Sequence, residues 1–170
     1  MRTWLPLLLF LVLTAARAEE PARAWTYDSR SPSAQREEPG QPTETQQIVA
    51  LLAHETERWN AHDLDGYMEG LWNSPDLLTV VEGEEIMGWS NILATYQRGY
   101  VDRAAMGTVS VERTIIQPTN DNVAFAMEWW RATFPGAKSH SVYATTTYFL
   151  RKFPQQGWKI AAAHTSFVEP

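Results

Sequence analysis

The stretch Trp59 to Gly70 reads W-N-A-H-D-L-D-G-Y-M-E-G, and it constrains the fold more than any other part of the 170-residue chain. A stripe at helical spacing runs into it, from Ile48 through Leu51, Leu52, Glu55 and Trp59. Asp63 then stands where a new helix needs an N-cap, its carboxylate placed to accept a backbone N–H two or three residues on. Tyr67 and Met68 give that second helix its apolar side. Two helices hinged in this way, with an aromatic on each side of the break, form a lid, and a lid requires a surface beneath it.

The rest of the chain supplies that surface. Thr43-x-x-Gln46 is a capping box directly after Pro42, which starts the first helix and runs it to about Ala61. The second helix spans Asp63 to about Leu71. Leu77 to Val81 is a β-rich run ended by Gly83, with Glu85 to Met87 as its return strand. Trp89, Leu93, Tyr96 and Tyr100 form one stripe of a third helix. After Gly107 the period changes to two, and Val109 to Gln117, Asn122 to Phe134, His140 to Phe153 and Trp158 to Val168 read as strands. Pro118-Thr-Asn, Pro135-Gly and Pro154-Gln-Gln-Gly supply their turns. Helices followed by an antiparallel meander of five to six strands make an α+β layer arrangement, with three N-terminal helices on one side.

The folded part is residues 44–170, about 127 residues, enough for one domain with a sizeable core. Before it, residues 1–18 have the pattern of a signal peptide: Arg2, an apolar run from Leu5 to Leu13 broken only by Pro6, and Ala16-Arg17-Ala18 as an A-x-A cleavage site. The run is far short of the roughly 20 residues needed to span a bilayer. The expected product begins near Glu19 and is exported, to a periplasm or the extracellular medium. Residues 19–43 carry four prolines among Glu, Arg, Ser and Gln, without hydrophobic periodicity, and read as a flexible, solvated spacer. Removal of Arg2 and Arg17 leaves 12 basic against 20 acidic residues, a charge that argues against nucleic acid or an anionic membrane as partner. Cysteine is absent, which excludes disulfides, thiol chemistry and thiolate metal sites.

Two-residue hairpin tips at Gly136-Ala137 and Gln155-Gln156 would make facing residue numbers sum to 273 in the first hairpin and 311 in the second. One sheet face then carries Phe125, Met127, Trp129 and Arg131 beside Val142, Ala144, Thr146, Tyr148 and Leu150, continuing with Ala161, Ala163, Thr165 and Phe167. It is the more apolar face and is expected under the helices. The other carries Glu128, Trp130, Tyr143, Arg151, Trp158 and His164, too polar for a dry core and too aromatic for water. A homodimer interface reconciles those properties.

Several ordered pieces resemble the nuclear-transport-factor-2-like superfamily, in its SnoaL-like bacterial branch. They are W-N-A-H-D-L-D-G-Y-M at Trp59 to Met68, S-P-D-L at Ser74 to Leu77, Gly88-Trp89, Y-V-D-R-A-A-M-G from Tyr100 to Gly107, the D-x-V-x-F-x-M-x-W ending at Trp129, and G-W-K-I-A-A-A-H-T-S from Gly157 to Ser166. The resemblance implies a cone-shaped, strongly curved sheet closed on one side by helices, a pocket inside, and a dimer. The fold hosts isomerases, dehydratases, cyclases, epoxide hydrolases, ligand binders and assembly modules, so it does not select a function. Two departures stand out. Ala163 occupies the place where many relatives carry Asp before the His-x-Ser of the last strand, and the Tyr and Asp pattern of ketosteroid isomerases is missing.

His164 is the first candidate for proton transfer, because imidazole titrates near neutral pH, and Glu128 is the second. Strand spacing puts them about 12 Å apart, too far for a direct dyad. Trp129, Arg131, Tyr148 and Thr165 on the expected inner face, with Trp59, Tyr67 and Tyr96 from the helices, are the candidate ligand contacts. An arginine among aromatics suits a small, partly apolar molecule with an anionic group. His54-Glu55 begins like H-E-x-x-H but lacks the second histidine, so no metal site is expected, and no motif calls for a cofactor. The leading expectation is an exported small-molecule-binding domain. A cofactor-independent isomerase, dehydratase or hydrolase and a dimeric assembly module whose tryptophans fill the cone are the alternatives.

Overall fold

A computed structural model of the chain describes residues 27–30, 42–135 and 140–168. The expected signal peptide and the Gly136-Ala137 tip lie outside them. The first element, β1 (Tyr27–Asp28), corrects the expectation of a solvated spacer at these two residues alone, which pair antiparallel with Ile116 and Ile115; most of the expected spacer lies outside the described residues. Asp28 binds Arg113 at 2.7 Å, and Ser29 exchanges hydrogen bonds with the Thr114 backbone, donating its N–H to the carbonyl and accepting the amide on its hydroxyl. Tyr27 packs against the core. A segment too short to carry a period of its own gains order here from an edge strand that offers unpaired backbone groups.

The helix α1 (Glu44–Ala61) starts at the capping box, with the Thr43 hydroxyl accepting from the Gln46 N–H at 3.2 Å and the Gln46 side chain accepting from the Thr43 N–H at 2.7 Å. It ends at His62, in the left-handed conformation (φ 61°). Asp63 caps α2 (Leu64–Glu69) by accepting the Gly66 N–H at 2.9 Å, while Arg58 reaches across the hinge to the same carboxylate. Then come β2 (Leu78–Val81), β3 (Glu84–Met87), α3 (Trp89–Gly99), a single turn α4 (Arg103–Met106), and the long strands β4 (Thr108–Asn120), β5 (Val123–Phe134), β6 (His140–Phe153) and β7 (Gly157–Val168).

The strands form one curved, open sheet in the order β1-β4-β5-β6-β7-β2-β3. It has seven strands where five to six were expected, and it is mixed: β2 runs parallel to β7. That pairing is available because more than a helix separates the two strands, and parallel neighbours need such a crossover. α1 is fixed across β4 by Asn60, whose side chain donates to the Val109 carbonyl at 2.8 Å and accepts its N–H at 2.7 Å. At the other end of α1, Glu44 accepts from Lys152 at 2.6 Å and from the Trp158 indole at 2.7 Å. Ile48 and Leu52 of α1 are buried with Ile116, Leu150 and Ile160 beneath them.

The register requires one correction with consequences for the site. Glu128 faces Thr146 and Phe134 faces His140, so facing numbers sum to 274 in the first hairpin, not 273. Five residues separate the strands there instead of two, an odd change in loop length, and side-chain direction alternates with every residue. All of β5 therefore turns over: Glu128 and Trp130 face the helices, whereas Phe125, Met127, Trp129 and Arg131 face away. In the second hairpin Phe153 pairs with Gly157, a sum of 310, and a bulge near Ala161 restores 311 from Phe149 onward. Tyr148, Thr146, Ala163 and Thr165 thus lie on the inner face as expected, but Trp158, expected outside, is inside and buried.

Candidate functional site

A cavity of about 240 Å³ lies between the inner face of the sheet and the helices. Aromatic side chains dominate its helical wall. Trp59 of α1 meets Tyr67 of α2 edge-on at 5.2 Å, Tyr96 of α3 at 6.2 Å and Tyr100 at 4.8 Å between ring centroids. The hinge positions this cluster, since it brings Trp59 and Tyr67 together from either side of the break. The Trp59 indole donates to the Met106 carbonyl at 3.1 Å, which uses its one polar group and leaves the ring as wall. From the sheet come Trp130, Glu128, Tyr148, Thr146 and Thr165. The Trp130 indole donates to the Thr146 hydroxyl at 2.9 Å, which is joined to the Thr165 hydroxyl at 2.8 Å.

Two carboxyl groups are set into this wall. Glu128 is 5 % exposed and accepts from the Thr114 hydroxyl at 3.1 Å and the Tyr148 hydroxyl at 3.3 Å. Burial pushes its pKa up to about 7, against the pull of those two hydrogen bonds. Glu55 of α1 is also 5 % exposed, and neither of its oxygens has a hydrogen-bond partner among the described residues. Desolvation raises its pKa to about 8, with Lys159 acting to lower it and Glu128 and Glu69 adding to the rise. Tyr67 and Tyr148 are held well above the ordinary phenol range and Tyr96 is pushed up to about 12, in each case chiefly by burial. Near neutral pH the phenols are neutral, Glu55 is mostly protonated, and Glu128 is poised between its two forms. No Lys, Arg or His lines it among the described residues.

A second cavity, of about 280 Å³, lies on the far side of Glu128, lined by Tyr27, Val49, Leu52, Thr56, Val111 and Thr114. β1 forms part of its wall.

Of the residues singled out from the sequence, Trp59, Tyr67, Tyr96, Glu128, Tyr148 and Thr165 come together around the first cavity. Trp129 and Arg131 do not: the overturned β5 carries both to the outer face, where Arg131 is exposed and Trp129 lies under Arg113 at 4.9 Å. Their expected place in the pocket, and the anionic ligand that Arg131 suggested, are withdrawn with it. His164 is exposed on that outer face too, paired beside Thr147, and shares no chamber with Glu128. Glu55 is the site residue that sequence reasoning passed over. Its signal was present, a lone carboxylate inside the apolar stripe of α1 between Leu52 and Trp59. Among the described residues no group of three His, Asp or Glu is arranged to hold a metal ion, and no helix is long and apolar enough to cross a membrane.

No protein-family model and no curated protein matches the chain. Solved structures do. A nuclear-transport-factor-2-like protein of unknown function from Shewanella oneidensis is 28% identical, with 73% of this chain and 99% of that one covered and a TM-score of 0.64. A nuclear-transport-factor-2-like superfamily protein from Salmonella enterica serovar Typhimurium is 19% identical over 77% of this chain and 95% of its own, with a TM-score of 0.65. A ketosteroid isomerase-like protein from Erwinia carotovora atroseptica is 16% identical over 72% and 95%, with a TM-score of 0.59. Helices laid over a curved sheet with a chamber between them, and these neighbours, agree: the chain belongs to the nuclear-transport-factor-2-like superfamily.

Proposed function

We propose that this is an exported, SnoaL-like domain that binds a small, partly apolar molecule inside a cone formed by its sheet and helices. The observation that carries the reading is a chamber of about 240 Å³ walled by aromatic rings, with two nine-tenths-buried carboxyl groups in its lining. Burying an acid without a partner costs several kcal/mol unless it neutralises, so Glu55 is a standing cost to the fold that a ligand contact relieves. The volume lies a little below the roughly 300 Å³ low end of drug-sized sites, which limits the occupant to a small molecule. Trp59 and Trp130 are the only tryptophans in the lining among the described residues, and they leave the space open, which weighs against an assembly module filled by its own side chains. The test is mass spectrometry of protein purified from its native host, released under denaturing conditions. A small molecule retained in stoichiometric amount supports the reading; none retained, and none taken up from a metabolite extract, counts against it.

Export rests on Arg2, the Leu5–Leu13 run and Ala16-Arg17-Ala18. Protein recovered from outside the cytoplasm should begin near Glu19, and recovery in the cytosol with Arg2 still present refutes it.

A second reading has its own observation. Glu128, with a pKa near 7 and a hydrogen bond from Tyr148, is suited to moving a proton at neutral pH, as a cofactor-independent isomerase, dehydratase or hydrolase requires. Solvent-deuterium exchange into a ketone probe such as cyclohexanone, lost in Glu128→Gln, supports it; exchange no faster than buffer rules against it.

A further inference from the structure

The chamber is chemically one-sided. It is lined by two glutamates and by aromatic rings, and among the described residues no positive side chain lines it. Glu55 is 95% buried by position in the wall, lines the chamber, and keeps both oxygens without a partner among the described residues. We propose that the chamber takes the ammonium group of a small amine with an apolar body, Glu55 receiving the charge and the Trp59, Tyr67, Tyr96 and Tyr100 cluster enclosing it. This deepens the small-molecule reading above and rests on it.

Three features lead to this class. A buried carboxylate with free lone pairs is satisfied best by a charge-assisted N–H donor. A cation is also attracted to the faces of Trp and Tyr within about 6 Å, most strongly when water is excluded. Glu128 already holds Thr114 and Tyr148 as donors, so it adds a second negative centre without competing for the same contacts. An anionic ligand meets no counter-charge here. A neutral hydroxyl or carbonyl compound is served only by the protonated form of Glu55, and that difference gives the test its sign.

The titratable groups whose charges act on Glu55, or on which it acts, are Tyr67 and Glu69 of α2, Tyr96 of α3, Glu128 of β5, Tyr148 of β6 and Lys159 of β7. The Lys159 ammonium is turned outward and donates to the Glu69 carbonyl at 2.6 Å, so it does not occupy the place of the ligand. Glu55 is mostly protonated at neutral pH in the empty chamber. An ammonium binds the ionised form, so binding releases a proton and tightens as pH rises. A ligand that accepts a hydrogen bond from the neutral acid does the reverse.

Benzylamine, benzyl alcohol and benzoate share one body and differ in charge, and benzylamine is cationic from pH 6 to pH 8. Titration calorimetry with all three should give the order benzylamine, benzyl alcohol, benzoate. Benzylamine affinity should rise about tenfold or more from pH 6 to pH 8, following ionisation of a group with its pKa near 8. Two buffers of different ionisation heat should report proton release. Glu55→Gln, checked for folding by its thermal transition, should lose about tenfold or more in benzylamine affinity and leave benzyl alcohol within about twofold. Benzyl alcohol or benzoate binding as tightly as benzylamine, affinity falling with rising pH, or an unaffected Glu55→Gln overturns the amine assignment and leaves the pocket standing. Binding of none of the three at millimolar concentration overturns both.

Discussion

Glu55 is the residue on which the site turns, because among the described residues it is the buried carboxyl whose oxygens both lack a partner. Its pKa of about 8 against an ordinary 4.5 means that the folded protein holds a proton the unfolded chain releases between those values. Stability should therefore be greatest below about pH 4.5 as far as this group is concerned, fall as pH rises toward 8, and level off above. The shift corresponds to roughly 4 to 5 kcal/mol at most. Glu55→Gln should remove that slope, so that its stability relative to wild type is greater at pH 8.5 than at pH 5.5. Urea unfolding at the two pH values measures it; a mutant with the wild-type slope contradicts the assignment. Gly70 belongs to the same contact. A Cβ there would collide with the Glu55 carboxylate, so Gly70→Ala should cost about 1 to 3 kcal/mol by overpacking. Combining it with Glu55→Ala should recover most of the loss, and plain additivity of the two in a double-mutant cycle speaks against the contact. Neither relation was legible in the sequence, where Glu55 stood only as one more position on a helical stripe.

At the level of elements, the helices and long strands were readable because each carries its own period, and the first two helices carry their own caps as well. Thr43, Gln46 and Asp63 do locally what their types predict. The face of β5 was not readable, since it depends on the parity of a loop whose length the Pro135-Gly signal does not fix. The second hairpin came out correctly past Phe149 only because a longer turn and a bulge offset each other. β1 was hidden for a different reason: two residues have no period, and their order comes from the open edge of β4. Asp28→Ala should loosen that strap without disturbing the sheet. Hydrogen exchange should then quicken at the Thr114 amide, which donates to the Ser29 hydroxyl at 2.8 Å, while amides in the centre of β6 keep their protection. Unchanged exchange at Thr114 would show that the ion pair to Arg113 does not hold the strap.

For the whole molecule, the outer face of the sheet is the feature without an internal explanation. Phe125 is 47 % exposed and stands 5.6 Å from Phe149, and Trp129 and Tyr143 share that face. We propose a twofold homodimer through this face, the expectation made from composition, now with Phe125 and Trp129 in place of Glu128 and Trp130. Tyr143→Glu should weaken it by desolvating an unpaired charge. Sedimentation at tens of micromolar, about the range in which a specific interface persists, should give a dimer for wild type and more monomer for the mutant. A wild-type monomer excludes it. The chamber lies on the opposite face of the sheet and takes no part in this contact.

The central claim is that Glu55 and Glu128 stand in a chamber that shields them from water and receives a small molecule. Carboxyl-carbon NMR titration of the two side chains, with and without benzylamine, tests it most directly. The account predicts that both titrate well above the ordinary glutamate value, near 8 and near 7, and that benzylamine draws Glu55 down. Titration of both near 4.5 in the free protein, unmoved by the amine, would contradict it.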